Sequence, residues 1–190
     1  MRLKQEQVNF LEHISEVFSR ENITWFMWGG FAAVQYGSKR ELTDFDIFVK
    51  KQDFKKAFNA CKDMQPTKLG VKEVHGFKGI SFSITKPGCI GDFITDHEII
   101  IKGEKYSFEM DNEMMSRIKK KEIHHLFLPV IPPEDLIAWK AIMQRGKELG
   151  KYDLRDVEFI LKKQRIDWNY LKRRAEKCNA SERVFSVIPR

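Results

Sequence analysis

The chain has 190 residues, 42% hydrophobic and 32% charged, enough to bury a core within one domain or a domain with a small appendage. No apolar run approaches the roughly 20 residues that span a bilayer, and Met1 to Glu6 lacks a signal-peptide h-region, so a cytoplasmic chain without a membrane partner is expected. The net charge is +7, and Lys162 to Arg190 holds nine Lys/Arg against three Asp/Glu, which reads either as a solvated helix face or as a surface for a polyanion.

Val8, Leu11, Ile14, Val17 and Phe18 recur at helical spacing, which predicts an amphipathic helix from Lys4 to Arg20. Ile23 to Trp28 is a short apolar run with aromatic and β-branched residues, expected as a buried strand. Gly29-Gly30 turns the chain, and Phe31 to Tyr36 is expected as a short helix ended by Gly37. After a polar loop, Thr43 to Val49 is a second strand, apolar except for Asp44 and Asp46. Asp53 to Lys62 has helical spacing. Leu69 to Val74, Ile80 to Ile84 and Ile90 to Ile94 are expected strands, with Glu98 to Ile101 and Tyr106 to Met110 as a separate hairpin. His124-His125 are expected on opposite faces of a strand, which excludes a metal pair.

The character changes after Pro129. Pro132-Pro133-Glu134-Asp135 starts a helix whose apolar face carries Leu136, Trp139, Ile142 and Met143. Leu154 to Leu161 and Trp168 to Ala175 mark two more helices. The expected class is α/β (α+β): a small mixed sheet flanked by helices over 1–128, then a helical subdomain over 129–190. Cys61, Cys89 and Cys178 are too few and too far apart for a disulfide framework or a zinc site.

The chemistry concentrates in Trp28-Gly29-Gly30, thirteen further residues, then Asp44-Phe45-Asp46. On a strand, residues i and i+2 share a face, so two carboxylates stand about 7 Å apart. The apolar neighbours say the strand is buried, where a charge needs compensation, and hard oxygen ligands there suit Mg²⁺. The glycines lie between strand and helix, where backbone N–H groups can approach an anion. Asp92, alone in the apolar run Ile90 to Ile94, is the candidate third carboxylate, and Gly91 beside it leaves room for a ligand or backbone. Asp96 is its rival.

The Gly-Gly, D-x-D and later carboxylate resemble the nucleotidyltransferase superfamily with the DNA polymerase β-like fold. Gly29 to Ala33, Gly37, Arg40 and Thr43 to Asp46 are similar to small prokaryotic members of the lincosamide-transferase and abortive-infection-toxin type. Ile131 to Lys140 and Asp153 to Ile160 resemble helices that follow the core in that set. The resemblance covers roughly residues 5 to 162. It implies transfer of a nucleoside monophosphate from an NTP, such as ATP, to an acceptor hydroxyl, with release of pyrophosphate. Asp44, Asp46 and Asp92 would hold two Mg²⁺ (or Mn²⁺) ions, Asp92 doubling as general base, and Gly29 and Gly30 would hold phosphates. Arg40, Thr43 and Lys140 would line the nucleotide, although each has an ordinary reading as a loop, strand or snorkelling residue. Asp153 and Asp156 are expected to charge the start of their helix. The acceptor stays open between RNA or tRNA, a small molecule and a protein, with RNA favoured by the basic C-terminus. An antitoxin partner and a homo-oligomer both stay open. The competing reading is a degenerate member that binds nucleotide or a partner without turnover.

Overall fold

A computed structural model describes residues 3–42 and 44–188. Thr43 lies outside the described residues, as do the chain's first two and last two positions. Among the described residues eight strands form one sheet: β1 (Trp25–Met27), β2 (Phe45–Val49), β3 (Gly70–Val74), β4 (Phe77–Lys86), β5 (Cys89–Ile101), β6 (Glu104–Phe108), β7 (Lys119–Ile123) and β8 (Leu126–Val130). Their order is β3-β4-β5-β2-β1-β8-β7, with β6 paired beside β5. The β2/β5 and β1/β8 pairs are parallel and the others antiparallel, so the sheet is mixed.

Helix α1 (Gln5–Arg20) packs its apolar face on the sheet. Its Phe10 ring stacks on Phe45, with centroids 6.1 Å apart. Gly91 exists for this ring: a Cβ there would lie 2.4 Å from Phe10 Cζ. The room predicted beside Asp92 is therefore filled by the protein's own core rather than by a ligand. Helix α2 (Gly29–Gln35) begins at the glycines themselves instead of after them. A third helix, α3 (Phe54–Ala60), lies between short 3₁₀ turns, and α4 (Asn112–Arg117) precedes β7.

Two strands expected separately, 90–94 and 98–101, are one 13-residue strand, β5. Within the polar Thr95-Asp96-His97 that hid this continuity, the Asp96 and His97 side chains find partners in the fold. Trp139 Nε1–H donates to His97 Nε2 at 2.9 Å, His97 Nδ1 lies 3.1 Å from the Thr95 carbonyl, and Asp96 accepts the Met110 N–H at 3.0 Å. Desolvation pushes the His97 imidazole down to about 3, so it stays a neutral core residue. Asp96 thus accepts from the backbone, while Asp92 is the one of the two that lies with Asp44 and Asp46. His124 and His125 sit in the turn between β7 and β8 rather than in a strand.

The last third is helical as expected: α5 (Pro133–Met143), α6 (Asp153–Lys163), α7 (Trp168–Lys177) and a further short α8 (Ser181–Phe185). Helix α5 is buried on every face, not one, because α6, α7 and α8 all pack around it. One apolar core runs through both parts of the chain. The polar residues of α5 need partners for this. Glu134 accepts the Asp167 N–H at 2.9 Å, and Asp135 accepts Tyr170 O–H at 2.6 Å and pairs with Arg174 Nε at 2.8 Å.

These pairings also absorb much of the basic surplus. Arg173 reaches Glu113 at 2.7 Å, Lys177 reaches Asp111 at 2.9 Å, and Arg183 donates to the Ile142 carbonyl at 2.6 Å. Arg174 bridges Asp111 and Asp135. Four of the nine cations counted over 162–190 are engaged in this way, with Arg173 and Lys177 still half-exposed. All three cysteines are buried free thiols. No helix among the described residues is long and apolar enough to cross a membrane.

Candidate active site

Strands β2 and β5 run parallel with Asp46 directly opposite Asp92. Asp44, Asp46 and Asp92 each offer a carboxylate oxygen, all within 4.8 Å of one another. The Asp92 carboxylate is held by the hydroxyl of Ser83, its register partner on β4. Burial pushes the Asp46 carboxyl up to about 6. Asp44 and Asp92 add to this as like charges, against the pull of Lys151 and the Gly30 N–H. Three hard oxygen donors that repel one another in a partly buried place are the donor set a small divalent cation relieves.

The glycines close one side. Gly29 has φ +57°, and a Cβ there would sit 1.8 Å from Asp46 Oδ2. Gly30 donates its N–H to that same oxygen at 3.2 Å, and its missing Cβ makes room for the Arg40 guanidinium 2.2 Å from where that atom would be. Both glycines are thus required by groups of the site. Gly29→Ala is expected to destabilise the fold by roughly 2–4 kcal/mol, combining left-handed strain with overlap onto Asp46. Gly88→Ala is the control, since Gly88 has φ +72° with nothing within 4 Å. It should lose only the strain, about 1–2 kcal/mol. Urea denaturation of the two variants measures the difference, and equal losses would contradict the close packing of Gly29 on Asp46.

The cavity in front of the carboxylates holds about 290 Å³. Gly29, Gly30 and Arg40 stand on one side, Lys72, Val74, His75, Phe77 and Ile94 on another, and Trp139, Lys140, Arg145, Leu149 and Lys151 complete the wall. Lys140 reaches this wall, but its ammonium lies 3.0 Å from Asp153 Oδ1 and 2.8 Å from Asp156 Oδ2. Arg145 Nε donates to Asp153 Oδ2 at 2.8 Å, and Arg40 stands 3.5 Å from Asp156. Ser38 Oγ–H donates to Asp156 at 2.5 Å. Burial alone would raise the Asp153 carboxyl, but Lys140 and Arg145 outweigh it and hold it below its ordinary value. Asp153 and Asp156 lie in the first turn of α6, as expected, and are in addition the buried centre of a charge network. That network ties the Ser38–Arg40 loop to α5 and α6.

The structure brings Gly29, Gly30, Arg40, Asp44, Asp46, Asp92 and Lys140 to one cavity, while Thr43 lies outside the described residues. Sequence reasoning missed Lys72, Arg145 and Lys151. Lys151 carried a weak signal, a basic residue between Gly150 and the Asp153 helix start; Lys72 carried none.

No family model matches the chain, and no curated protein matches it significantly. Solved structures do. A presumed nucleotidyltransferase from Thermotoga maritima superposes with TM-score 0.61 at 15% identity, covering 86% of this chain and 97% of that one. The lincosamide antibiotic adenylyltransferase LnuA, solved with lincomycin, gives 0.52 at 16% identity over 86% of this chain and 100% of its own. ANT(2″)-Ia, solved with adenylyl-2″-tobramycin, gives 0.55 at 12% identity over 95% and 93%. At such identities the likeness establishes architecture: the mixed sheet with its flanking helices is a nucleotidyltransferase fold.

Proposed function

We propose that this chain is a nucleotidyltransferase that moves a nucleoside monophosphate from an NTP to an acceptor hydroxyl and releases pyrophosphate. The observation that carries the reading is the convergence of Asp44, Asp46 and Asp92 within 4.8 Å, beside two glycines packed on Asp46 and Arg40. The three carboxylates would hold Mg²⁺, two ions in the full assembly. When bound, these would supply Lewis-acid charge to the triphosphate and lower the pKa of the acceptor hydroxyl.

The protein's own groups divide the remaining work. Gly29 and Gly30 let Asp46 and the Arg40 guanidinium close on the start of α2, and Arg40, held by Asp156, would meet the polyphosphate there. Lys151, whose charge already reaches Asp46, adds a cation on the helical side. The acceptor oxygen bonds to the α-phosphorus while the α–β bridging bond breaks, and the electron pair leaves with pyrophosphate. Asp92, held by Ser83, would take the hydroxyl proton. In this reading 1–128 carries the chemistry, and 129–190 braces the nucleotide side through α5 and α6. Cytoplasmic work is consistent with three buried, unpaired thiols.

The test is label partition. With Mg²⁺, label from the α-phosphate of an NTP should enter an acceptor and label from the γ-phosphate should leave as pyrophosphate, both stopping when EDTA removes the metal. Release of the γ-label as orthophosphate, or turnover indifferent to EDTA, would sink the assignment.

A further inference from the structure

In-line displacement puts the attacking hydroxyl opposite the departing pyrophosphate. With the polyphosphate against Gly29, Gly30 and Arg40 after β1, the acceptor must enter across Asp92, from the side of β5, β4 and β3. That wall is built by the β3–β4 hairpin. Lys72 and Val74 share one face of β3, and Val74 stands opposite Phe77 on β4. Together with Ile94 they line the cavity, Lys72 bringing a cation to a wall whose other members are Val74, His75, Phe77 and Ile94.

The charges on this side are one-signed. Glu73, the hairpin's carboxylate, lies on the opposite face and pairs with Lys78 at 3.5 Å. Apart from Asp44, Asp46 and Asp92, the only carboxylate lining the cavity among the described residues is Asp153, already held by Lys140 and Arg145. An acceptor bearing several ammonium groups would find no carboxylate on this wall to receive them, and would meet Lys72 instead.

We propose that the acceptor carries a phosphate near its reacting hydroxyl. Lys72 reads that phosphate, and Val74, Phe77 and Ile94 receive an adjoining planar or apolar moiety. This rests on the nucleotidyl-transfer reading of the same cavity, and the bond changes are those given above. The phosphate can come from a small molecule or from the backbone of an RNA end.

The experiment offers the full chain, with Mg²⁺ and each α-labelled NTP in turn, four acceptors: a ribonucleoside 5′-monophosphate, a short RNA with a free 3′ hydroxyl, tobramycin and lincomycin. Label is expected in a phosphate-bearing arm and in neither antibiotic, and the arm that accepts it separates the small-molecule source from the RNA. Lys72→Glu should lower kcat/KM for that acceptor about tenfold or more, with NTP affinity unchanged, and Lys72→Arg should restore it. Transfer to tobramycin or lincomycin, indifference to Lys72→Glu, or no transfer to either phosphate arm by a chain that binds Mg²⁺ and NTP would overturn the proposal. Failure to bind Mg²⁺ and NTP at all would instead remove the underlying reading and the proposal with it.

Discussion

Asp46→Asn should reduce nucleotidyl transfer by about three orders of magnitude or more while leaving the metal-free protein at least as stable as the parent. The first half follows from position. Asp46 stands between Asp44 and Asp92 and also receives the Gly30 N–H, so one substitution removes a charge from the ligand set and disturbs the glycine cradle. A misplacement of about 1 Å at such a site can cost a hundredfold, and loss of charge stabilisation multiplies it. The second half follows from electrostatics. Without metal, three carboxylates crowd within 4.8 Å and Asp46 is the one burial disfavours most clearly. An amide of the same shape removes that repulsion. Thermal melts give an independent readout: Mg²⁺ should raise the Tm of the parent and leave that of Asp46→Asn unmoved. A variant that keeps its activity, or that is stabilised by Mg²⁺ as the parent is, would refute the role given to this carboxylate.

Lys140→Met should cost about 3–5 kcal/mol of stability, far more than the loss of a surface lysine. Lys140 is 2% exposed and stands between Asp153 and Asp156, which are 1% and 0% exposed. Without it Asp153 keeps Arg145, but Asp156 keeps only Ser38 and the more distant Arg40. The stranded charge, more than the lost ion pair, sets the size of the effect. Adding Asp156→Asn should therefore recover much of the loss, a sign that simple damage to packing would not produce. Urea denaturation at constant m measures both variants. A loss below about 1 kcal/mol for Lys140→Met, or no recovery in the double variant, would show that the network is not charged in the folded state.

What the sequence makes legible is local. Gly29-Gly30 and Asp44-Phe45-Asp46 can be read because turn, strand and carboxylate spacing are encoded by neighbouring residues. Asp92 can be read because an aspartate in an apolar run has few explanations. Strand β5 reads as two because the partners of Asp96 and His97 in its polar middle, Met110 and Trp139, are distant in sequence. The hairpin of β7 and β8 is obscured by three lysines on an edge and by Pro129 in its second strand. The roles of Asp135, Lys140, Asp153, Asp156 and Arg174 depend on partners that no periodicity reveals. The same blindness hid the engagement of Arg173, Arg174 and Lys177 with Asp111, Glu113 and Asp135.

In the proposed function Asp44, Asp46 and Asp92 act together as a metal site that the nucleotide completes. Counting bound Mn²⁺ by electron paramagnetic resonance, with an NTP analogue whose α–β bridge cannot be cleaved, tests this most directly. Two ions per chain are predicted in the parent, with fewer in Asp92→Asn and essentially none in Asp46→Asn. Less than one ion in the parent, or an undiminished count in Asp46→Asn, would contradict it.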